Sequence, residues 1–427
     1  MESEFMRHRS LFYILLTVLA THSAQASPVP PPLKIGLAKW FDHASVLLLS
    51  SDKAYTIQDA ASDKPLLRVA ANTVYKISPT VSGITLSRTS LTGDASETQT
   101  EGPLTAAPTG TDYVKIARVD PKSASLAVHW HRYRGFLTVR RAPDNTLRVI
   151  NTVGLEPYLY GVIPAEIGTK VPLEAMRAQA VAARTYALKN RGKFGSDGFD
   201  LDDTTRSEGY LGVDGETSLS NAAVDSTRNQ VLTWHGQLID APYSTDSGGM
   251  TACDLSGDCP YLQAVRDAPT PSGPDYASDG KYHTWTKVFT VAEVAAKLAK
   301  DPRTHVSTFV SLTLDGVDAS GRITTATVSG ADGTMRTVTG PQLRRILGYD
   351  SLRSTRVSLT MTPAGDYQFD GKGWGHGLGM SQDGAVSMAS RPYNKTCQDI
   401  LKHYYVGTAM MDISHVNWNV STAKRLP

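Results

Sequence analysis

One segment of the chain limits the possible folds more than any other. Residues 172–192 read PLEAMRAQAVAARTYALKNRG, and their apolar side chains recur at spacings of 3, 4, 3 and 4. This period places one set of residues on a single helix face: Leu173, Met176, Ala180, Ala183 and Ala187. Pro172 suits the first helical position, and Gly192 can cap the end. Because the many alanines permit close packing, we predict a buried central helix.

The sequence on either side of this helix favours strands. Short β-favouring runs separated by turns fill residues 33–107, and strands are predicted again in residues 125–153. Residues 91–112 are rich in Thr, Gly and Pro and are predicted to form a loop. After the helix, a strand meander over residues 309–340 alternates with shorter helices. The predicted fold class is therefore α+β, with one large mixed domain built on the central Ala-rich helix and β meanders, plus a smaller β-rich N-terminal region.

The N-terminus has the three parts of a secretory signal peptide. A basic MRHRS precedes the apolar LFYILLTVLA, and an AQA cleavage site ends at Ala26. The apolar stretch is too short to span a bilayer; an uncleaved N-terminal anchor is the alternative. We predict an exported protein of the periplasm, cell envelope or extracellular space, with no membrane span after cleavage.

The net charge and the cysteine content limit the classes of binding partner that the sequence supports. The 427 residues include 43 Lys and Arg against 41 Asp and Glu, a net charge of +2. This balance gives neither the excess of basic residues typical of nucleic-acid-binding proteins nor a polybasic patch for membrane binding. Cys253 and Cys259 flank a turn-forming DLSGD, so a small-loop disulfide is expected, with one of the three cysteines left over. The cysteine spacing does not match a zinc ribbon or finger.

A second unusual segment, residues 371–385, reads GKGWGHGLGMSQDGA. It fits neither phosphate-binding pattern, because its glycines alternate as G-x-G-x-G-x-G and Lys372 is not followed by Ser or Thr. Alternating glycines let a backbone approach another chain or a ligand closely. The segment is either a tight turn with a core Trp374 or the wall of a groove in which Trp374 and His376 meet a sugar.

Residues 243–251, YSTDSGGMT, contain the DSGG sequence found in serine proteases. A protease also needs a His base held by a second carboxylate, and the usual sequence context of that His is absent. Two interpretations remain. The segment is a structural Ser/Gly turn, or it is a hydroxyl-lined loop in which Ser244, Thr245 and Ser247 bind a polar ligand.

Glu166 lies in an apolar setting, GVIPAEIG. Burial disfavours the charged form of a carboxyl group, so a raised pKa is expected there. Such a group suits a general acid at neutral pH. The chain has 41 acidic residues in all, so the local sequence alone also leaves room for an ordinary structural role.

Three ordered motifs together resemble one family. They are YLYGVIPAEIGTKVPLEAMRAQAVAARTYAL, then YSTDSGGMT, then GKGWGHGLGMSQDGAVSMA with DILKHYYVGT. The resemblance is to the stage II sporulation protein D family (SpoIID), which includes the amidase enhancer LytB. It spans about residues 135–408. It implies a cell-wall enzyme of the lytic transglycosylase type, in which Glu166 is the catalytic acid of the V-P-x-E motif.

The resemblance also implies a substrate and its contacts. Glu166 would protonate the glycosidic oxygen of a peptidoglycan glycan strand, and the 6-hydroxyl of the sugar would then attack to leave an anhydro-muramic end. The residues implied to line the glycan groove are Ser244, Thr245, Ser247, Trp374, His376, Ser381 and Gln382. The amidase-enhancer branch implies a cell-wall amidase as a partner.

One segment departs from the family pattern. Some members carry zinc ligands in a segment resembling F-D-[LV]-C-D-x-x-x-C-Q-x-Y, where this chain reads FDLDDTTRSEGY. Asp202 and Ser207 stand at the two cysteine positions, so no zinc and no other cofactor is expected. Glu208 replaces the usual Gln, and we keep Glu208 and Tyr210 as secondary candidates for sugar contact.

These inferences predict four parts of the chain: a signal peptide over residues 1–26, a β-rich region over 27–134, a catalytic domain over 135–410 and a tail over 411–427. The predicted function is that of an exported peptidoglycan lytic transglycosylase. The alternative is a non-catalytic cell-wall-binding protein that stimulates a separate amidase.

Overall fold

The computed structural model describes residues 30–89, 97–119 and 128–416. The predicted signal peptide and residues 417–427 of the predicted tail lie outside these ranges. Helices and strands both occur in quantity, which confirms the α+β fold class and the β-rich N-terminal region. Within the described ranges, no helix combines the length and the apolar character needed to cross a membrane.

Strands dominate the first part of the described chain, with a short helix α1 (Ala38–Phe41) after the first strand. The strands are β1 (Leu33–Gly36), β2 (Leu47–Ser50), β3 (Tyr55–Asp59), β4 (Pro65–Val69), β5 (Tyr75–Pro79), β6 (Ile84–Arg88), β7 (Glu97–Thr100), β8 (Leu104–Pro108), β9 (Tyr113–Arg118), β10 (His131–Arg134), β11 (Phe136–Arg141), β12 (Leu147–Val153) and β13 (Leu201–Asp202).

These strands form two sheets around one core. A seven-stranded sheet has the order β13-β1-β12-β11-β8-β3-β4, and a six-stranded sheet has the order β10-β9-β2-β5-β6-β7. Ile57 and Val139 of the first sheet and Ile77 and Leu86 of the second belong to the same hydrophobic cluster. The predicted boundary after residue 134 separates β10 from β11, yet β12 pairs with β1, so strands from both sides of that boundary share one sheet.

The loop predicted over residues 91–112 is wrong where β7 and β8 occur. β8 lies inside its sheet, paired with β3 on one side and β11 on the other. Leu104 and Ala106 of β8 are buried. Pairing to two distant strands therefore decides the conformation of this segment, and its Thr, Gly and Pro content does not.

The predicted central helix is confirmed. The helices of the larger part are α2 (Leu155–Glu166), α3 (Leu173–Lys189), α4 (Ser218–Ser226), α5 (Val291–Ala299), α6 (Gly340–Leu347), α7 (Gln382–Ala389) and α8 (Cys397–Tyr404). Pro172 is the N-cap of α3, and Met176, Ala180, Ala183 and Ala187 are fully buried. The helix α3 packs against α2, α4, α7 and α8, so it joins the segments that carry the motifs.

A buried ion pair fixes α2 on α3. Arg184 has no solvent exposure, and its guanidinium donates to both carboxylate oxygens of Glu156, at 2.9 and 2.7 Å. The same guanidinium donates to the carbonyls of Val224 and Gln230. Because its hydrogen bonds are made in a fixed geometry, this arginine orients the helix that ends at Glu166.

The remaining strands are β14 (Gln230–Trp234), β15 (Gln237–Leu238), β16 (Tyr243–Ser244), β17 (Thr284–Phe289), β18 (Phe309–Val317), β19 (Ile323–Gly330), β20 (Met335–Thr339), β21 (Val357–Met361), β22 (Tyr367–Lys372), β23 (Met380–Ser381) and β24 (Ala409–Asp412). The predicted meander is confirmed as β18-β19-β20. A separate hydrophobic cluster lies under these strands, with Phe289, Leu343 and Phe369 among its buried members.

Candidate active site

Glu166 is the last residue of α2 and its side chain is half-buried. Pro164 has no N–H to continue the helical hydrogen bonds, and the helix ends two residues later. Burial raises the pKa of the Glu166 carboxyl, while hydrogen bonds from the Gly209 N–H and the Gln382 side chain and the charge of Lys39 lower it. The net shift is upward, as the apolar sequence around this residue predicts.

The hydrogen bond from Gly209 fixes one carboxylate oxygen. The backbone N–H of Gly209 donates to Oε1 of Glu166. A Cβ at position 209 would lie 3.2 Å from that oxygen and 3.3 Å from Ala165, so the glycine lets the backbone approach closely. The loop after β13 therefore holds the carboxyl by its main chain.

Glu208, beside that glycine, is fully buried. The Tyr158 hydroxyl donates to its Oε2 at 3.1 Å, and the Tyr243 hydroxyl donates to its Oε1 at 2.8 Å. Burial, together with the charge of Glu166, raises the pKa of Glu208 well above its ordinary value despite these two hydrogen bonds. Both oxygens of Glu208 thus bond to protein groups inside the fold.

Tyr210 lies on the buried side of the same loop and is 1% exposed. Its hydroxyl donates to Oδ1 of Asn151 at 2.9 Å. Its ring lies where a Cβ at Gly161 of α2 would come within 2.6 Å of it. These contacts assign it to the packing of α2 against the N-terminal strands.

Two glutamines join α3 and α7 next to Glu166. The Gln382 amide donates to Oε1 of Gln179 at 3.3 Å and also bonds to the Glu166 carboxyl. Gln179 is fully buried, and among the described residues its own amide nitrogen has no hydrogen-bond partner. Sequence reasoning missed Gln179, although a glutamine among the alanines of a buried helix was a usable signal.

The glycine segment packs against the Ser-Gly loop. β16 and β23 pair in parallel, Tyr243 with Met380 and Ser244 with Ser381. Gly375 has a φ of 122°, and a Cβ there would lie 2.3 Å from the Cβ of Ser244. The alternating glycines therefore bring this backbone close to the loop at residues 244–248, as the close-approach interpretation predicts.

Three of the predicted groove hydroxyls are engaged inside the protein. The Ser244 hydroxyl accepts the N–H of Gly377 at 3.2 Å. The Ser247 hydroxyl donates to Asp267 at 2.6 Å. The Ser381 hydroxyl accepts an N–H from the first turn of α7 and is its N-cap. All three side chains are buried. Their hydrogen bonds lie inside the protein and hold the Ser-Gly loop and the glycine segment in place.

Trp374, His376 and Thr245 are more accessible. Trp374 is half-buried, with its ring in edge contact with Tyr282 at a centroid distance of 4.4 Å. His376 is exposed, and its Nδ1 accepts the N–H of Leu378 at 3.0 Å. Desolvation of the ring, together with the charges of Arg344 and Arg322, lowers the pKa of His376 to about 4. Thr245 is half-buried, and its carbonyl accepts an N–H from α7.

The DSGG sequence does not form a protease site. The His283 imidazole lies near Asp246, at 3.2 Å, and Asp275, at 2.9 Å. The Ser247 hydroxyl instead donates to Asp267. A serine nucleophile needs a hydrogen bond to its base, and this hydroxyl bonds to a carboxylate.

The expected disulfide is absent, since Cys253, Cys259 and Cys397 are all free. The turn between the first two is closed by the carboxylate of Asp254, which accepts the N–H of Cys259 at 2.7 Å. The Cys259 sulfur accepts the Tyr261 hydroxyl at 3.2 Å. In the described part of the chain, no group of three or more His, Cys, Asp or Glu side chains could hold a metal ion.

The carboxyl group at the end of α2 is suited to proton transfer. Glu166 is half-buried, has a raised pKa and has one oxygen fixed by a backbone N–H. A carboxyl of this kind holds its proton to a higher pH than an exposed glutamate does and can deliver it to a substrate oxygen. Glu208, whose two oxygens contact tyrosines, lies behind it.

The chain is similar in sequence to several known proteins. A family model described as "Stage II sporulation protein" matches residues 143–234, and a model described as a domain of unknown function matches residues 272–379. The stage II sporulation protein D of Bacillus subtilis is 31% identical over 294 residues, which are 62% of this chain and 76% of that protein. An uncharacterised protein of Brachyspira hyodysenteriae is 32% identical over 64% of this chain and 71% of its own length. The amidase enhancer of Bacillus subtilis is 31% identical over 59% of this chain and 40% of its own length.

Proposed function

The chain belongs to the stage II sporulation protein D family, and from this premise we propose that it is an exported lytic transglycosylase acting on the glycan strands of peptidoglycan. The observation that carries the proposal is the setting of Glu166, a half-buried carboxyl with a raised pKa at the end of α2. The family membership supports a cell-wall function. The reaction itself is our inference.

In the proposed reaction, Glu166 acts twice. It first protonates the glycosidic oxygen as the bond breaks and the sugar gains oxocarbenium character. The 6-hydroxyl of the same sugar then attacks the anomeric carbon and gives its proton to the Glu166 carboxylate. The product is an anhydro-muramic end, no water is consumed, and the acid is regenerated.

The surroundings of Glu208 support a mechanism with one carboxyl. A hydrolase of the usual kind needs a second carboxylate free to reach a water molecule or the anomeric carbon. Glu208 is the acidic residue of the adjoining loop whose pKa the charge of Glu166 raises, and its two oxygens accept the hydroxyls of Tyr158 and Tyr243. An intramolecular hydroxyl, at high effective concentration, removes the need for that second group.

The groove around Glu166 would be formed by two walls. Gln382 contacts the carboxyl directly, and Trp374 and His376 lie on the accessible side of the glycine segment. We infer that these three side chains meet the sugar. The serines of the two loops support the wall through their internal hydrogen bonds.

Digestion of purified cell walls tests this function. We expect the protein to release soluble glycan fragments and Glu166→Gln to release none, because the amide cannot supply the proton. Glu101→Gln changes an exposed glutamate and serves as the control, with full activity expected. Full activity of Glu166→Gln would overturn the assignment.

A second candidate function follows from the similarity to the amidase enhancer. In that case the chain binds walls and stimulates a separate amidase without cleaving glycan. Wall binding and amidase stimulation by the wild type and by Glu166→Gln alike, with no glycan release by either, would favour this candidate.

A further inference from the structure

The helix α1, in the β-rich N-terminal region, presents two exposed side chains. Trp40 is 39% exposed, and Lys39 beside it is exposed as well. The Trp40 ring stacks on His131 at a centroid distance of 4.9 Å and an interplanar angle of 22°. The Lys39 ammonium lies 5.0 Å from the centroid of the Trp40 ring. A large aromatic ring is therefore held rigidly at the surface with a cation next to it.

The loop that holds Glu166 also holds this helix. Oδ1 of Asp203 accepts the N–H groups of Ala38 and Lys39, both at 2.8 Å. Asp203 is fully buried, so the tether is internal. Six residues further along the same loop, the N–H of Gly209 donates to Glu166. The beginning of this loop thus fixes α1, and the end of the same loop fixes the proposed catalytic carboxyl.

The charge of Lys39 acts on the Glu166 carboxyl. The charge of Lys39 lowers the pKa of Glu166 and also that of His131, the residue under the Trp40 ring. One ammonium group therefore acts on both the carboxyl and the aromatic stack.

We propose that Trp40 and Lys39 form a sugar-binding subsite that extends the glycan groove onto the β-rich N-terminal region. The inference rests on the proposed function, because the ligand is the glycan strand that Glu166 would cleave. The apolar face of a pyranose ring stacks on an indole, and its hydroxyl and acetamido oxygens accept hydrogen bonds from an ammonium group. His131 fixes the ring before the sugar arrives, which reduces the entropy lost on binding.

Binding of peptide-free peptidoglycan glycan strands to the Glu166→Gln protein tests the subsite. Adding Trp40→Ala should weaken the Kd about tenfold, as expected for the loss of one aromatic stacking contact. Lys39→Gln should weaken it by a smaller factor. Leu66→Ala is the control, because Leu66 is 37% exposed on β4, at the opposite edge of the same sheet from β1 and β13. It should leave the Kd unchanged.

Cleavage by the otherwise wild-type protein gives a second readout. Trp40→Ala should raise KM about tenfold and change kcat less, because the ring lies outside the reacting bond. An unchanged Kd and KM in Trp40→Ala, with wild-type cleavage intact, would refute the subsite and leave the proposed function standing. Glycan binding that depends on Trp40 without any cleavage would support the subsite and refute the transglycosylase. A wild-type chain that binds no glycan would refute both.

Discussion

Replacing Glu208 by Gln tests whether a protonated carboxyl stands behind the catalytic one. Glu208 is fully buried between the hydroxyls of Tyr158 and Tyr243. A hydroxyl can accept as well as donate, so both contacts can persist when the carboxyl carries a proton. Burial and the charge of Glu166 raise the pKa of Glu208 well above its ordinary value of 4.5. The folded protein therefore keeps this proton at pH values where the unfolded chain has released it.

The sign and size of the effect follow from linkage. A raised folded-state pKa gives a contribution to stability that is complete below the unfolded pKa and is lost as the pH rises towards the folded one. For Glu208 this window opens near 4.5. Inside it, each pH unit lowers the free energy of unfolding by about 1.4 kcal/mol. Gln has nearly the same shape and no titrating proton, so Glu208→Gln removes that loss.

The assay is urea unfolding at several pH values from about 5 to about 8. The free energy of unfolding of Glu208→Gln, relative to the wild type, should rise with pH by up to about 1.4 kcal/mol per unit. Glu101→Gln alters an exposed residue and should follow the wild type at every pH. Parallel curves for Glu208→Gln and the wild type would mean that the folded protein holds Glu208 ionised, and the reasoning would fail.

Other substitutions test the packing around the site and the proposed acid catalysis. Arg184→Met leaves the buried Glu156 carboxylate without its cation and should lower the free energy of unfolding by about 3–5 kcal/mol, measured in urea. Gly375 has a φ of 122° and lies against a neighbouring loop, so Gly375→Ala should reduce both the melting temperature and the cleavage rate. Gly168→Ala is the matched control. Gly168 has a φ of 82° with open space around it, so this variant should lower the melting temperature slightly and leave the cleavage rate intact. Gln382→Ala removes a hydrogen bond that lowers the pKa of the general acid, so the alkaline limb of the pH–rate profile should move to higher pH; a shift to lower pH would contradict the assigned contact.

Local patterns predicted the parts of the fold that local sequence controls. The helix α3 follows from a period of apolar residues and from Pro172 at its start, and the structure has it at Leu173–Lys189. The raised pKa of Glu166 follows from its apolar neighbours in the chain. Both features depend on residues a few positions apart, which is why sequence reasoning reached them.

Other features depend on partners far along the chain. β8 forms because β3 and β11 pair with it on both sides, and its Thr and Pro content gave the opposite prediction. The partner of the Ser247 hydroxyl is Asp267, twenty positions away, and the partner of the Ser244 hydroxyl is Gly377, 133 positions away. No local signal distinguishes such buried hydroxyls from groove-lining ones. The tether between Asp203 and α1 spans 165 positions, so the chemistry of Trp40 emerges only from the folded chain.

The way in which the glycosidic bond is broken distinguishes a lytic transglycosylase from a hydrolase. Digestion of peptidoglycan in water enriched in ¹⁸O, followed by mass spectrometry of the new glycan ends, measures this directly. If Glu166 passes the proton and the sugar's own hydroxyl closes the ring, the new ends contain no ¹⁸O and are lighter by one water than hydrolysis products, and Glu166→Gln yields none of them. Incorporation of one ¹⁸O for each bond cleaved would identify a hydrolase and contradict the mechanism.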